Sequence, residues 1–190
     1  MSGASIIKHG IIQNLRSIAQ QSQPCGVDLS LRRVLTWTSP ATVDFANRFR
    51  QAASTSELKR SFSPSSSRGA GDSSKDADTG TDSDTQAFRL PQGAYLVEFN
   101  ETCRIPLDYM GQIFVRSSLW RSGALLTAGV VDAGYEGALG ALLDVRNPAG
   151  IVLHKDAKLG QMVLHKMQEE VAGYRGSYQN RNSVGGTHEN

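Results

Sequence analysis

The sequence lacks several features that would assign a chain to a class at once. It has two cysteines, Cys25 and Cys103, and four scattered histidines, so it shows no zinc-site ligand spacing. Its first residues, MSGASIIKHG, lack the apolar core of a signal peptide, and no apolar run approaches the ~20 residues of a membrane span. The two thiols could pair, but without an export signal we expect both to be reduced. We therefore expect an intracellular protein, cytoplasmic or nuclear, with no membrane partner.

An excess of charge of one sign is also absent. The formal net charge is +2 and no basic block is long enough to follow a phosphate backbone, so we expect no nucleic-acid partner. Hydrophobic residues make up 39% of the chain and are unevenly distributed, so part of the chain is expected not to pack. A length of 190 residues predicts a single domain, 1–190.

Two segments are poor in hydrophobic residues. Residues 57–87 contain a run of Ser, Asp, Gly and Thr, SFSPSSSRGAGDSSKDADTGTDSDTQA, which buries too little to offset its ordering entropy. We predict a disordered internal insertion there, either an inert loop or a regulatory segment open to phosphorylation. Residues 173–190 have glycines, arginines and tyrosines without periodicity, which predicts a mobile C-terminal arm.

The remaining sequence predicts short strands. Ile7, Ile11, Leu15 and Ile18 have helical spacing and predict one short amphipathic helix at the N-terminus. After it, the alternation in 27–31, with Val27, Leu29 and Leu31 apolar, is typical of a half-buried strand. From residue 93 onward, short apolar runs separated by turn signals about every 8–12 residues predict a compact all-β barrel or sandwich.

An acid and an aromatic stand close together in AGVVDAGYEG, residues 128–137. Asp132 and Tyr135 are three residues apart and are surrounded by glycines, which form turns and let a backbone approach a ligand. One interpretation is a plain hairpin that Asp132 opens and Tyr135 closes. The other is a strand end that presents both side chains at a pocket.

Two further motifs have donors suited to a phosphorylated ligand. VRSSLWRSG places Arg116 beside Ser117 and Ser118, and a guanidinium with two hydroxyls can hold phosphate oxygens. Alternatively, Ser117 caps a helix and the arginines are solvated. In KLGQMVLHKM, Gln161 is either a surface residue or an amide donor to a ligand at a subunit boundary.

These stretches follow one another in a recognisable order. QPCGVDLSL, VRSSLWRSG, AGVVDAGYEG, KLGQMVLHKM and the Gly/Tyr/Arg tail closely resemble the successive motifs of the dUTP pyrophosphatase and dCTP deaminase superfamily, over nearly all of the chain except the insertion. QPCGVDLSL and YRGSYQN resemble the deaminase-like branch. The resemblance implies a distorted jelly roll, a dUTPase-like β-clip, assembled as a homotrimer with shared active sites. It also implies Mg²⁺ carried on the substrate triphosphate, without a dedicated metal site in the protein.

The same resemblance implies residue roles. Asp132 would contact the sugar 3′-hydroxyl and deprotonate the attacking water, and Tyr135 would exclude a 2′-hydroxyl by its bulk. The backbone of Ala128, Gly129 and Val131 would read the pyrimidine edge. The remaining contacts to substrate would come from a larger group of side chains: Arg116, Ser117, Ser118, Arg121, Gln161, Arg175 and Tyr178. For Arg175 and Arg181 in the tail, a solvated and frayed terminus is the alternative.

The two reactions of the superfamily make different demands on one position. Its deaminases place a proton-shuttling Glu on the strand after the Asp hairpin, and alignment puts Leu142 there. A leucine carries no proton, and Asp144 lies ~6–7 Å farther along a strand. We therefore predict a Mg²⁺-dependent dUTP diphosphatase that yields dUMP and pyrophosphate. The alternatives are a dCTP deaminase, a bifunctional enzyme, or a non-catalytic nucleotide-binding protein, against which the presence of Asp132 argues.

Overall fold

The structure is a computed structural model that describes residues 1–62 and 86–185. Within these ranges the chain forms three short helices, α1 (Gly3–Lys8), α2 (Ile18–Gln21) and α3 (Ser117–Arg121). The strands of the same ranges are β1 (Ile12–Gln13), β2 (Ser22–Gln23), β3 (Gly26–Trp37), β4 (Thr55–Glu57), β5 (Ser61–Phe62), β6 (Gln86–Leu90), β7 (Gly93–Arg104), β8 (Tyr109–Val115), β9 (Ala124–Thr127), β10 (Glu136–Val145), β11 (Ile151–His154) and β12 (Lys158–Lys166).

One large antiparallel sheet dominates the fold. Its strands follow the order β8-β12-β3-β7-β10-β9, and β8 also packs against β9, so the sheet curls into a nearly closed barrel. A smaller sheet has the order β11-β6-β5. The apolar side chains of the long strands meet inside the barrel and form one core, with Leu29, Val97, Phe99, Leu143 and Met162 almost fully buried. The predicted all-β, jelly-roll-like class is confirmed.

Strand β3 is more deeply buried than its alternating sequence predicts. Its apolar residues face the core as expected, but Asp28 and Ser30 on the opposite face are buried as well. Helices α1 and α2 pack against this strand and cover that face. The prediction of a half-buried strand was wrong, because the polar residues there are paired with other protein groups instead of water.

The N-terminal segment forms two short helices, not one. Helix α1 ends before Gly10, whose φ of +64° lies in the left-handed region that terminates helices. The chain then extends, and Ile12 pairs with Cys103 of β7 before α2 begins behind the capping residue Ser17. A short N-terminal helix is confirmed, but the single helix through Ile18 was wrong, since Ile11 and Ile12 are buried by strand pairing.

The two ends of the predicted insertion are partly described. Strand β5 pairs with β6 in the register Ser61 to Ala87, and Glu57 ends β4 of the large sheet, so strands are present at both ends of the 57–87 segment. Residues 63–85 lie outside the described ranges, as do residues 186–190. The described part of the C-terminal arm runs beside β10, where Asn180 donates its N–H to Glu136 O at 2.8 Å. The mobility of the arm stays a prediction.

The two cysteines lie in different environments. Both thiols are free, Cys25 at the surface and Cys103 in the core. Burial, with a smaller contribution from the charge of Glu136, raises the pKa of Cys103 to about 12. None of the helices in the described ranges is long and apolar enough to cross a membrane.

Candidate active site

A pocket of about 300 Å³ opens between β8, the 128–132 loop, the start of β10 and the C-terminal arm. We call it the Asp132 pocket, because Asp132 supplies the one charged side chain among the described residues that line it. The volume is at the lower end of the ~300–1,000 Å³ typical of small-molecule sites. The lining consists of Ile113, Ala128, Gly129, Val130, Val131, Asp132, Tyr135, Ala138, Leu139, Gly140, Tyr174 and Tyr178.

The Asp132 side chain is presented by a tight turn. Tyr135 donates its backbone N–H to Asp132 O at 3.1 Å, and Gly134 between them has a φ of +74°. Just before the turn, Val131 exchanges two backbone hydrogen bonds with Gly111 of β8, at 2.8 and 2.9 Å. The plain-hairpin interpretation and the pocket interpretation are therefore both correct. The turn fixes Asp132 to the barrel and leaves its carboxylate exposed at the pocket.

Tyr135 forms a rigid wall of this pocket. Its hydroxyl donates a hydrogen bond to Ala138 O at 2.8 Å, and its ring meets Tyr174 edge-on with 5.5 Å between ring centroids. Burial, followed by the nearby Cys103 and Tyr174, raises the pKa of Tyr135 to about 12. The phenol therefore stays protonated at neutral pH and acts through its shape.

The backbone from 128 to 130 is open to a ligand. These residues follow the end of β9 and belong to no strand, and their peptide groups make no backbone hydrogen bond within the described chain. Gly129 is exposed and has no neighbour within 4 Å of where a side chain would begin. Free N–H and C=O groups at a pocket wall can pair with the polar edge of a flat ring.

The predicted phosphate-binding residues form a second group, next to Asp28. Arg116 occupies the cap position before α3, and its Nε lies 3.3 Å from Asp28 Oδ1. Lys158 Nζ lies 3.4 Å from the other oxygen of the same buried carboxylate. Gln161 stands opposite Asp28 in the β12–β3 register. The interpretation of Ser117 as the helix cap was wrong, because Arg116 holds that position and Ser117 is the first helical residue.

The second group does not reach the Asp132 pocket of its own chain. Val131 pairs with Gly111, and Arg116 follows five residues farther on, which is roughly 16 Å along an extended strand. Ser117 and Ser118 are exposed on α3, and the Arg121 guanidinium lies 4.5 Å from the Trp120 ring centroid. Arg175 is exposed on the arm and does not line the pocket. Of the predicted side chains, the structure thus brings together Asp132, Tyr135 and Tyr178, with the 128–131 backbone.

Leu142 does face the site. It lines an adjoining cavity of about 410 Å³, which shares Gly129, Tyr135 and Tyr178 with the Asp132 pocket. Asp144, on the same face of β10, accepts a 2.8 Å hydrogen bond from Arg146 Nε and lines neither cavity. The position that the motif resemblance assigned to a deaminase Glu is therefore apolar in this chain.

Among the residues that sequence reasoning missed are Tyr174 at the pocket and Asp28 in the second group. Tyr174 lines the pocket, and its N–H donates to Ala133 O at 2.8 Å, which ties the arm to the turn. Its signal was present, since it lies four residues before Tyr178 in YRGSYQN. Asp28 lies within QPCGVDLSL, but nothing in the sequence indicated that it would pair with Arg116.

No resident metal site is evident in the described part of the chain. Residues 1–62 and 86–185 contain no group of three or more His, Cys, Asp or Glu side chains placed to hold a metal ion. Asp132 alone offers a carboxylate at the pocket.

The nearly closed barrel, the glycine-rich turn and the pocket beneath it define a dUTPase-like jelly-roll protein. The family model described as dCTP deaminase-like matches residues 4–167. The chain belongs to the dCTP deaminase-like family, which confirms the resemblance found in its motifs.

Curated relatives cover most of the chain. It is 34% identical over 174 residues to the probable deoxyuridine 5′-triphosphate nucleotidohydrolase of Methanosarcina mazei, covering 91% of this chain and 89% of the relative. It is 30% identical over 162 residues to the deoxyuridine 5′-triphosphate nucleotidohydrolase of Methanocaldococcus jannaschii, covering 85% and 89%.

A solved structure shares the fold. The 2′-deoxycytidine 5′-triphosphate deaminase from Agrobacterium tumefaciens matches with a TM-score of 0.56 and 17% sequence identity, over 87% of this chain. The match spans 48% of that protein, so this chain corresponds to about half of its length. At this identity the likeness supports the fold alone.

Proposed function

We propose that this protein hydrolyses the magnesium complex of dUTP to dUMP and pyrophosphate. The observation that carries the proposal is the presence of Asp132 at the pocket together with Leu142 at the adjoining cavity. The pocket presents a carboxylate able to take a proton from water, and the neighbouring position that deamination would require is a leucine. The curated relatives at 30–34% identity, named as dUTP nucleotidohydrolases, support the same reaction.

Asp132 would act as the general base. Water is a poor nucleophile until a base removes a proton, and such assistance contributes typically about 10²–10⁴-fold to the rate. The Asp132 carboxylate is exposed and has no hydrogen-bond partner in the described chain, so it is available to a water molecule. The water oxygen would form a bond to the α-phosphorus. The bond from that phosphorus to the oxygen it shares with the β-phosphate would break, and pyrophosphate would leave. Mg²⁺ on the triphosphate lowers its negative charge.

The nucleoside would be recognised by shape and by backbone groups. The free peptide groups of 128–130 would pair with the pyrimidine edge, which needs no side-chain donor. The Tyr135 ring, fixed by its hydrogen bond to Ala138 O, would lie against the deoxyribose. The 2′-hydroxyl of a ribonucleotide would then clash with the Tyr135 ring, which its hydrogen bond to Ala138 O holds in place.

The triphosphate would be held across a subunit boundary. The Asp132 pocket has no cation in its described lining, and Arg116, Ser117, Ser118 and Gln161 of the same chain are not among the residues that line it. A neighbouring copy that brings this second group to the pocket would complete the site, with Arg121 and Arg175 as further candidate contacts. We therefore propose a homotrimer with shared active sites.

The proposal is tested by supplying dUTP and dCTP separately and assaying pyrophosphate and ammonia. We expect pyrophosphate from dUTP and no ammonia from dCTP. Ammonia release from dCTP at a rate comparable with dUTP hydrolysis would favour a deaminase or a bifunctional enzyme. Tight binding of dUTP with no product from either nucleotide would favour a non-catalytic nucleotide-binding protein.

Replacement of Asp132 separates binding from chemistry. Asp132→Asn keeps the size and hydrogen bonding of the side chain but removes the basic oxygen, so turnover should fall at least ~10²-fold. Affinity for a non-hydrolysable dUTP analogue should stay within roughly tenfold of wild type. Asp144→Asn is the matched control, an acid on the same sheet that lines neither cavity, and should leave turnover within about twofold. Undiminished turnover in Asp132→Asn would make Asp132 a turn residue only.

A further inference from the structure

A hairpin outside the superfamily motifs packs against the arm. Residues 38–54 connect β3 to β4, and Thr42 and Gln51 exchange two backbone hydrogen bonds of 2.9 Å across this 38–54 hairpin. The carboxylate of Asp44 accepts three backbone N–H groups of the tip at 2.9 to 3.1 Å. The hairpin therefore has a defined conformation, although its tip is exposed.

Arg50 carries the contact between this hairpin and the site. Its Nη1 donates to Ser177 Oγ at 3.1 Å, and its guanidinium carbon lies 4.9 Å from the centroid of the Tyr178 ring. Arg181 approaches the same ring at 5.6 Å and donates its Nε to Ser177 O at 2.8 Å. A guanidinium at these distances is attracted to an aromatic ring by the ring's quadrupole.

Tyr178 depends on these contacts for its position. The ring is 43% exposed, lines the Asp132 pocket, and its hydroxyl makes no hydrogen bond to the described part of the chain. A half-exposed tyrosine held only by its ring samples other rotamers unless a neighbour restrains it. Ligand binding must then offset the entropy that is lost when the side chain is fixed, which lowers the affinity. Arg50 is suited to that restraint, because it contacts both Ser177 and Tyr178 from a hairpin fixed to the barrel.

We propose that Arg50 is a positioning residue for the nucleotide pocket, which holds Tyr178 in place as a pocket wall. This inference rests on the proposed function, because it takes the Asp132 pocket as the nucleoside site. Arg50 itself lines a separate cavity behind Tyr178, together with Trp37 and Arg181, and does not line the Asp132 pocket. Its effect on a nucleoside therefore passes through the tyrosine ring.

Two ligands distinguish positioning from direct phosphate contact. If Arg50 acts through Tyr178, its loss weakens dUMP and a non-hydrolysable dUTP analogue by the same factor, because both fill the nucleoside pocket. If Arg50 touches the β- or γ-phosphate, only the triphosphate analogue is weakened. From the size of a partly exposed cation–π contact and one hydrogen bond, we expect Arg50→Gln to weaken both ligands about three- to tenfold.

The experiment measures dissociation constants by calorimetry on the full chain. Arg48→Gln is the matched control, since Arg48 is on the same hairpin and its exposed side chain makes no hydrogen bond or ion pair with the described residues. This variant should bind both ligands as wild type does. Arg50→Lys should recover part of the affinity, because an ammonium keeps the attraction to the ring. In a Tyr178→Ala background, Arg50→Gln should cause no further loss.

Each outcome bears on the assignment. Equal losses for the two ligands, absent in the Tyr178→Ala background, support positioning through the ring. Any of three results would overturn the positioning role of Arg50. They are an unchanged affinity in Arg50→Gln, a loss that adds to that of Tyr178→Ala, and a loss confined to the triphosphate analogue. If the wild-type protein binds neither ligand, the proposed function itself is contradicted. This result differs from a failure of the Arg50 inference, in which wild type binds both ligands.

Discussion

The buried carboxylate of Glu98 allows one energetic prediction to be worked out from the structure. Its side chain is 0% exposed, and its Oε2 accepts hydrogen bonds from Arg33 Nη2 at 3.0 Å, Ser183 Oγ at 2.9 Å and Val184 N at 2.8 Å. Oε1 forms an ion pair with Arg32 Nη1 at 3.0 Å, without hydrogen-bond alignment. Glu98→Gln keeps the shape but removes the charge that these four donors surround.

The magnitude follows from burial and from the exposure of the partners. Breaking a buried ion pair by removing one partner costs about 3–5 kcal/mol. The Arg32 and Arg33 side chains are 53% and 21% exposed, so both can regain water, and we take the lower end, about 3 kcal/mol. For a chain of this length each kcal/mol lowers Tm by about 2–4 °C, so the expected fall is about 6–12 °C.

Glu57→Gln provides a control on the same arginine. Arg33 Nη1 also pairs with Glu57 at 3.2 Å, but Glu57 is 54% exposed, and surface pairs contribute about 0–1 kcal/mol. Burial lowers the pKa of Arg33, but in the wild-type protein Glu98 and Glu57 more than offset this and raise it. A guanidinium is not deprotonated in proteins, so Arg33 is charged in both variants. The assay is thermal and urea unfolding at one fixed protein concentration. If the two variants lower stability alike, the reasoning from burial is refuted.

Two further predictions concern groups in and below the pocket. The raised pKa of Cys103 means that its contribution to stability is complete below pH 9 and is lost as pH rises from 9 to about 12. In urea unfolding, Cys103→Ala should therefore lose less stability than wild type over this window. Tyr135→Ala should reduce the ratio of dUTP to UTP turnover, measured as pyrophosphate release. An unchanged ratio would show that the ring does not select the sugar.

The strands and the central turn were predictable because their determinants are local. Apolar alternation indicated the strands, and the glycines around Asp132 and Tyr135 indicated a turn whose side chains meet a pocket. The roles assigned to these residues came from the order of motifs along the chain. Gly134 illustrates the local rule, since its φ of +74° is the conformation that turn glycines supply.

Burial of polar residues was not predictable from the pattern. In β3, Asp28 and Ser30 read as a solvent face, yet Ser30 donates both its N–H and its hydroxyl to the buried Glu101, at 2.7 and 2.6 Å. Gln21 donates a further 2.7 Å bond to the same carboxylate. A polar residue that faces water and one that is buried with hydrogen-bond partners distant in sequence give the same alternation of polar and apolar residues. The contact of Arg50 with Tyr178 was hidden for the same reason, since 128 positions separate the two residues.

The ion pair between Arg116 and Asp28 has a consequence for how a reaction cycle ends. An arginine whose only counter-ion is its ligand is left with an uncompensated charge when that ligand departs, and this slows departure. Arg116 Nε lies 3.3 Å from Asp28 Oδ1, and Lys158 Nζ lies 3.4 Å from the other oxygen of the same carboxylate. Under the proposed function, pyrophosphate would leave behind an arginine whose charge is partly offset by Asp28. If the group binds phosphate as proposed, this ion pair would lower its affinity for pyrophosphate and speed release of the product.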